Sequence, residues 1–339
     1  MSGSDASVAR NAVDGCRRVR FHRHFARAAT LLACASLVFA GEAPGPTFEL
    51  VEGTGVRGHN IFAPEVLRTD KGWRCYYGGW QEKGQLNDQI YVVEAEEPWG
   101  AWSPPRLQIA HGEYELLNDP SVARGDDGTW YMAYTVAFVN QNPLSFDEWI
   151  AVSTSQDGLH WSPDAGTAAT KVRIADPSDL AGGKITGIAR PSLVRDGDAW
   201  RLWFDADVAK KRAPQSFLAV ATGKEPDGFI LAHRYPALSD GFASFWEPDV
   251  QLISPGRYVA VCQRHFRELL LGESTDGVHF ALGPVLSTSD AAYPRARVSN
   301  PCLIHDPARK TLLGLAFGMS GPSLIDHDIG FARYRGLRD

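Results

Sequence analysis

Apolar and polar positions along this chain alternate over short runs and do not follow the spacing of a helix. Trp73–Trp80, Trp130–Val136, Trp200–Asp205, Tyr258–Gln263 and Thr311–Phe317 are rich in aliphatic and aromatic side chains. Turn residues separate such runs, as in Gly125-Asp126-Asp127-Gly128 and Asp196-Gly197-Asp198. β-Branched and aromatic residues suit a pleated, half-buried surface, and Asp-Gly suits a tight turn, so the pattern predicts strands joined by hairpins. Sustained 3.6-residue periodicity is missing; Ser145–Trp149 supports one helical turn at most.

The strands are organised by a repeat. Ala63-Pro64-Glu65-Val66, Asp119-Pro120-Ser121-Val122, Arg190-Pro191-Ser192-Leu193, Glu247-Pro248-Asp249-Val250 and Asn300-Pro301-Cys302-Leu303 share one grammar: a polar or small residue, a proline, one further residue, an aliphatic. They recur at roughly 53 to 71 residues, with about four strands in each interval. That period is the signature of a propeller, and the expected fold is all-β, a five-bladed β-propeller with four-stranded antiparallel blades. Units start near residues 60, 118, 190, 246 and 299, the propeller covers 55–339, and 41–54 is a Pro/Gly-containing linker. Two Ser-x-Asp-Gly-x-His-aromatic stretches, 155–161 and 274–280, repeat independently and are expected to be structural hairpins plugging neighbouring blades.

The first 40 residues have a different character. Arg17, Arg18, Arg20, Arg23 and Arg27 precede an apolar run from Ala28 to Ala40 that is too short to span a membrane. This is the layout of an ordinary secretory signal. Arg17-Arg18 is a poor twin-arginine match, and Leu31-Leu32-Ala33-Cys34 a poor lipobox. Cleavage near Ala40 and export to the periplasm or medium are expected. Cys75, Cys262 and Cys302 would remain, an odd number; a Cys262–Cys302 disulfide is left open. No Cys/His spacing matches a zinc site, and no spacing demands a cofactor or an ion. With a net charge of -6 and no basic run in the mature part, nucleic acid is not an expected partner, and a monomer is.

The innermost strand of every propeller blade lines the central axis, so polar residues at five strand entries converge on one funnel. The candidates are His59, Asn60, Glu65, Asn118, Asp119, Arg190, Glu247, Asp249 and Asn300. The flanking proline suits a strand entry, where no ladder donor is needed. Carboxylates, a guanidinium and amides crowded at one axis shift one another's pKa values. Two carboxyl groups there are the equipment for glycosidic cleavage, one protonating the leaving oxygen and the other attacking the sugar or activating water. Trp80, Trp203, Trp246, His265 and Phe266 are candidates to stack on sugar rings.

Asn118-Asp119-Pro120 and Trp246-Glu247-Pro248-Asp249, on a five-unit frame, resemble elements of the glycoside hydrolase family 32 and family 43 propellers. The resemblance covers residues about 55–335 as architecture, through motifs of three or four residues. It implies a carbohydrate substrate, with Asp119 as base or nucleophile and Glu247 as general acid. A family 43 alignment of the second element would instead make Asp249 a pKa modulator. The substrate-binding set would be Asn60, Glu65, Asn118, Arg190, Asp249, Asn300, Trp80, Trp246 and His265. The chain also departs from those families. Family 32 has Arg-Asp-Pro where this chain has Ala189-Arg190-Pro191, and both families place the catalytic Asp on the first blade, not the second. A non-catalytic carbohydrate-binding propeller is the first alternative; a phosphorylase or lyase ranks below it.

Overall fold

The structure, a computed structural model, describes residues 47–335 apart from 53–55, 57, 83–84, 86, 140–145, 166–168, 176–179, 181–182, 210–214, 234–236, 238–245, 290–294 and 322–325. The expected signal segment lies outside the described residues. Among the described residues no helix is long and apolar enough to cross a membrane.

Five sheets follow one another along the chain. Blade 1 is β2(Asn60–Thr69), β3(Gly72–Trp80), β4(Gln89–Ala95) and β5(Arg106–Ile109), in sequence order from the axis outward. Blade 2 is β6(Leu116–Arg124), β7(Trp130–Val139) and β8(Phe146–Ser155), completed by β9(Trp161–Ser162) and β10(Thr170–Lys171), both paired with β8. Phe146–Ser155 is therefore a strand, where the sequence allowed a helical turn up to Trp149. Blade 3 is β12(Lys184–Asp196), β13(Ala199–Ala209), β14(Gln215–Glu225) and β15(Gly228–Leu231), with β11(Arg173–Ala175) added in parallel at its outer edge. The chain leaving blade 2 thus runs along the rim of blade 3 before entering it, so this sheet gains a fifth strand. Blade 4 is β16(Asp249–Ser254), β17(Arg257–Arg264), β18(Glu268–Ser274) and β19(Ala281–Ser287).

Blade 5 contains β20(Arg297–Asp306), β21(Thr311–Ser320) and β22(His327–Arg335), and its outermost strand comes from the start of the described chain, β1(Thr47–Val51). The sequence places these five residues in a linker. They pair antiparallel with β22 from Thr47↔Arg335 to Val51↔Phe331, because the last blade has no fourth strand of its own among the described residues. Phe48 and Leu50 pack on the core between blades 4 and 5.

The core is divided in the same way. Five apolar clusters are buried, each filled from two adjacent blades; Leu193, Phe204 and Phe229 of blade 3, for instance, meet Ala133 and Ile150 of blade 2. Trp73, Trp161, Trp200, Trp203 and Trp246 are buried in these gaps. Cys75, Cys262 and Cys302 are free and buried, so no Cys262–Cys302 disulfide forms.

The Asp-Gly hairpins join blades at their outer ends. In each, one serine hydroxyl accepts the glycine N–H and the Asp carboxylate takes the next two backbone N–H groups. The hairpin carbonyls then dock on the preceding blade: Asp157 O accepts from Arg74 (2.7 Å) and Gly277 O from the Trp203 indole (2.8 Å). Gly158 and Gly277 sit at φ near +71° and +70°, and a Cβ there would meet Arg74 Nη1 at 2.5 Å and Arg201 Nη1 at 2.8 Å. Conformation and docking both require glycine.

Candidate active site on the propeller axis

The residue before each repeat proline has left-handed backbone: φ is 51° at Ala63 and Asp119, 55° at Arg190, 48° at Glu247 and 43° at Asn300. Each such conformation costs a non-glycine residue about 1–3 kcal/mol. The ladder skips over these two residues, passing from Phe62 to Glu65, Asn118 to Ser121, Ala189 to Ser192 and Ser299 to Cys302. In blade 4 the same break lies between Trp246, whose carbonyl accepts from Gln263 N, and Asp249, the first residue of β16. Proline, which has no N–H to offer a partner strand, suits the skipped position. The five bulges line one cavity with Ala63, Asp119, Arg190, Glu247 and Asn300, each followed by its proline.

The residue after each proline forms a second ring beneath. Glu65 Oε1 accepts the Val122 N–H (3.0 Å), Ser121 Oγ that of Leu193 (2.9 Å) and Ser192 Oγ that of Val250 (2.8 Å). Asp249 Oδ2 accepts the Leu303 N–H (2.6 Å), and Cys302 Sγ that of Val66 (3.2 Å). Every bond joins one blade to the next, and the fifth returns to the first. Glu65 and Asp249, expected to bind substrate, line the same cavity, but each is about 5% exposed and already accepts a backbone N–H of the next blade. The carboxyl groups of Glu65 and Asp249 and the Cys302 thiol come within 4.8 Å of one another. Their atoms are already engaged in the ring, with Cys302 Sγ also donating to Glu65 Oε2 (3.7 Å), so they make a packed junction and not an open ligand set. Burial raises the pKa of both carboxyls, and the Asp249 charge raises Glu65 further.

The upper ring is tied together differently. Asn300 Nδ2 donates to Asp119 Oδ1 (2.9 Å) and the Asn300 backbone N–H to Glu247 Oε2 (2.5 Å), so one residue holds both candidate carboxylates. Arg190 lies among four carboxylates. Its Nη1 and Nη2 donate to Glu148 (3.2 and 3.3 Å), while Nε is 3.8 Å from Glu247 Oε1 and 4.0 Å from Asp205 Oδ2. Asp205, on β13, accepts the backbone N–H groups of Trp246 (3.0 Å) and Glu247 (3.1 Å), which fixes the bulge that aims Glu247. Thr135, on β7, does the same for Arg190 (2.8 Å). At the corresponding places of blades 1 and 5 stand Gly78 and Gly318, without a side chain to offer.

These surroundings separate the titrations. Burial pushes Glu247 up to about 8; the Arg190 charge and the Asn300 N–H oppose this, and the Asp119 and Asp205 charges add to it. Burial raises Asp119 to about 6, against Arg190 and the Thr135 hydroxyl. Asp205 is raised to about 7 by burial, with Arg190 and two backbone N–H groups pulling down. Burial disfavours the Arg190 charge, but Glu148, Asp119, Asp205 and Glu247 outweigh it and hold the guanidinium charged.

Asp119, Arg190, Glu247 and Asn300 are the sequence candidates that meet in the upper ring. Asn118 is half-buried and donates to Asp88 Oδ2 (3.3 Å), a buried carboxyl raised to about 7 by its removal from solvent. Asn60 is buried and accepts from His327 N and Nδ1 (3.1 Å each), a bond from blade 1 to blade 5. Trp246 is 5% exposed in the core between blades 3 and 4, where no sugar ring reaches its face. Trp80 stacks with His59 at 6.4 Å, and His265 is exposed in the turn between β17 and β18; neither lines the cavity. Glu148, Asp205 and Thr135 escaped the sequence analysis because they stand on second and third strands, outside the repeat motif. The one available signal is period: Thr135 and Asp205 occupy equivalent places, two residues beyond the partners of Ser121 and Ser192.

Residues 42–180, covering the first two blades, match the model of glycosyl hydrolases family 43. No curated protein sequence matches the chain. A family 117 glycoside hydrolase of the marine bacterium Zobellia galactanivorans shares 13% identity over 87% of this chain and 92% of its own, with a TM-score of 0.61. An N-acetylgalactosamine deacetylase from F. plautii, solved with blood group B trisaccharide, gives 14%, 85%, 94% and 0.57. An α-L-arabinofuranosidase from Lactobacillus brevis gives 13%, 83%, 92% and 0.59. The chain is thus a five-bladed β-propeller that resembles the glycoside hydrolase propellers of the family 32 and family 43 type.

Proposed function

We propose that the protein is a glycosidase acting on an oligo- or polysaccharide, with Glu247 as general acid and Asp119 as the ionised partner. The observation that carries this is the bridge: Asn300 binds Asp119 through its side chain and Glu247 through its backbone. Two carboxyls with pKa values pushed apart are the mark of divided acid and base work. At neutral pH Glu247, raised to about 8, keeps its proton and can pass it to the glycosidic oxygen as that bond breaks. Asp119, at about 6, is ionised and available to take a proton from water or to attack the anomeric carbon. The family 43 match and the glycoside hydrolase neighbours support the glycosidase class. The test is a panel of furanoside and pyranoside substrates with wild type, Glu247→Gln and Asp119→Asn. Hydrolysis by the wild type that both variants lose supports the pair; hydrolysis that survives both substitutions sinks it.

A second reading, a carbohydrate-binding propeller without turnover, is favoured by Ala63. It fills the first-blade place of the ring, and the resembled families carry their catalytic Asp on that blade. Binding without turnover in the wild type, and turnover gained by Ala63→Asp, would select this reading. We also propose export, on the basic segment through Arg27 and the apolar run to Ala40. N-terminal sequencing of the protein from fractionated cells tests it; an uncleaved N-terminus in the cytoplasmic fraction overturns it.

A further inference from the structure

We propose that the funnel accepts uncharged or amine-bearing sugar residues and excludes carboxylated or sulfated ones, with Glu148 setting that preference. The inference rests on the carbohydrate reading above and specifies its substrate class.

Arg190 is the one positive side chain among the described residues lining the cavity. A guanidinium there would ordinarily mark a site for a ligand carboxylate, which it grips with two parallel N–H groups. In this protein the grip is already taken. Glu148 reaches from β8 and places Oε2 and Oε1 at 3.2 and 3.3 Å from Nη1 and Nη2. The remaining edge, Nε, faces Glu247 and Asp205 at 3.8 and 4.0 Å. Glu148 thus takes the paired N–H groups that a uronate or sulfate would need.

The surplus charge points the same way. Asp119, Glu148, Asp205 and Glu247 surround a single guanidinium, so even with Glu247 protonated at neutral pH its charge is already matched by acidic partners. An ionised carboxylate only accepts hydrogen bonds, so towards Asp119 the ligand must supply the donor. Sugar hydroxyls do so, and an ammonium group does so with favourable charge. A second anion meets like charge and finds no free cation to repay its lost hydration. Ionisation of Glu247, raised by burial to about 8, deepens the exclusion in alkali.

Matched methyl glycosides test this by ligand-observed NMR titration at pH 7 and low salt. The panel is glucoside, glucuronide and glucosaminide, with the three galacto counterparts. The wild type should bind each uronide at least tenfold more weakly than its neutral parent, and each amine-bearing sugar at least as well as that parent. Glu148→Gln, which frees one face of Arg190, should narrow or reverse the uronide gap by tenfold or more. Glu148→Asp, which keeps the charge, should preserve it. A uronide bound by the wild type as tightly as its parent overturns the proposal, as does a gap unchanged in a folded Glu148→Gln. Should Glu148→Gln fail to fold, the wild-type ratios alone decide the substrate class. A uronide preference would leave the glycosidase reading standing, whereas a panel with no ligand at all overturns both.

Discussion

The two rings on the axis are built on one backbone and differ in what their side chains do. In the lower ring a glutamate, two serines, an aspartate and a cysteine all perform one task, accepting a backbone N–H from the next blade. In the upper ring Ala63, Asp119, Arg190, Glu247 and Asn300 share a left-handed backbone and no common task. Where a neighbouring N–H dictates the need, any acceptor of about the right reach satisfies it. Where the side chain faces an open cavity, the fold leaves its chemistry free. Ala63 makes the point: it bears the same backbone strain as Asp119 with no functional group to aim. The bulge belongs to the fold, and the polar groups mounted on four of the five bulges are those the proposed function uses.

Substitutions in the two rings should therefore separate. The largest effect is expected at Glu247→Gln, which should lower kcat by about 10²- to 10⁴-fold, the usual contribution of a general acid. Thermal stability should hardly fall, since a buried raised-pKa carboxyl is being neutralised. A kcat loss matched by a comparable loss of folded protein would merge the two rings and break the distinction. The wild-type activity profile should be bell-shaped, with limbs near the Asp119 and Glu247 values of about 6 and 8. Glu247→Gln should abolish the alkaline limb of the residual activity.

A smaller effect, of opposite kind, is expected in the lower ring. Ser192→Ala strands the buried Val250 N–H and should cost about 1–3 kcal/mol in denaturant unfolding, with kcat/KM per folded molecule unchanged. Gly277→Ala, which forces a Cβ into left-handed backbone and towards Arg201, should cost about 1–2 kcal/mol. Normal stability in that variant would remove the argument for docked hairpins.

The smallest and most diffuse effect is the pH dependence of stability. Glu65, Asp88, Asp205 and Asp249 sit above their ordinary values when folded. Their contribution is complete below the unfolded carboxylate range and is lost as pH rises through about 7, the value of Asp88 and Asp205. Asp157 and Asp276, held low by hairpin hydrogen bonds, act in the reverse sense and lose their contribution as pH falls. Tm should peak in mild acid and decline towards pH 9, and Glu65→Gln should flatten the alkaline decline. A Tm that rises steadily to pH 9 contradicts the buried, protonated junction.

The amino-acid sequence alone determined the five-unit repeat, the all-β class and the four polar residues of the upper ring. Short-range physics writes these features into the chain: strand alternation, Asp-Gly turns and a proline wherever a ladder donor is absent. It did not reveal that β1 closes the last blade, because strand pairing between Thr47–Val51 and Phe331–Arg335, at opposite ends of the propeller's sequence, leaves no local mark. Nor did it separate Glu65 and Asp249 from Glu247, three carboxyls beside repeat prolines. All three line the cavity and accept a backbone N–H of the next blade; tertiary structure separated them by the bulge, which sets Glu247 on left-handed backbone beside Arg190 and Asp119, while Glu65 and Asp249 rejoin the ladder and meet Cys302. Glu148, Asp205 and Thr135 belong to the site for the same reason. They reach the axis from outer strands across blade boundaries, and only the closed ring brings those boundaries together.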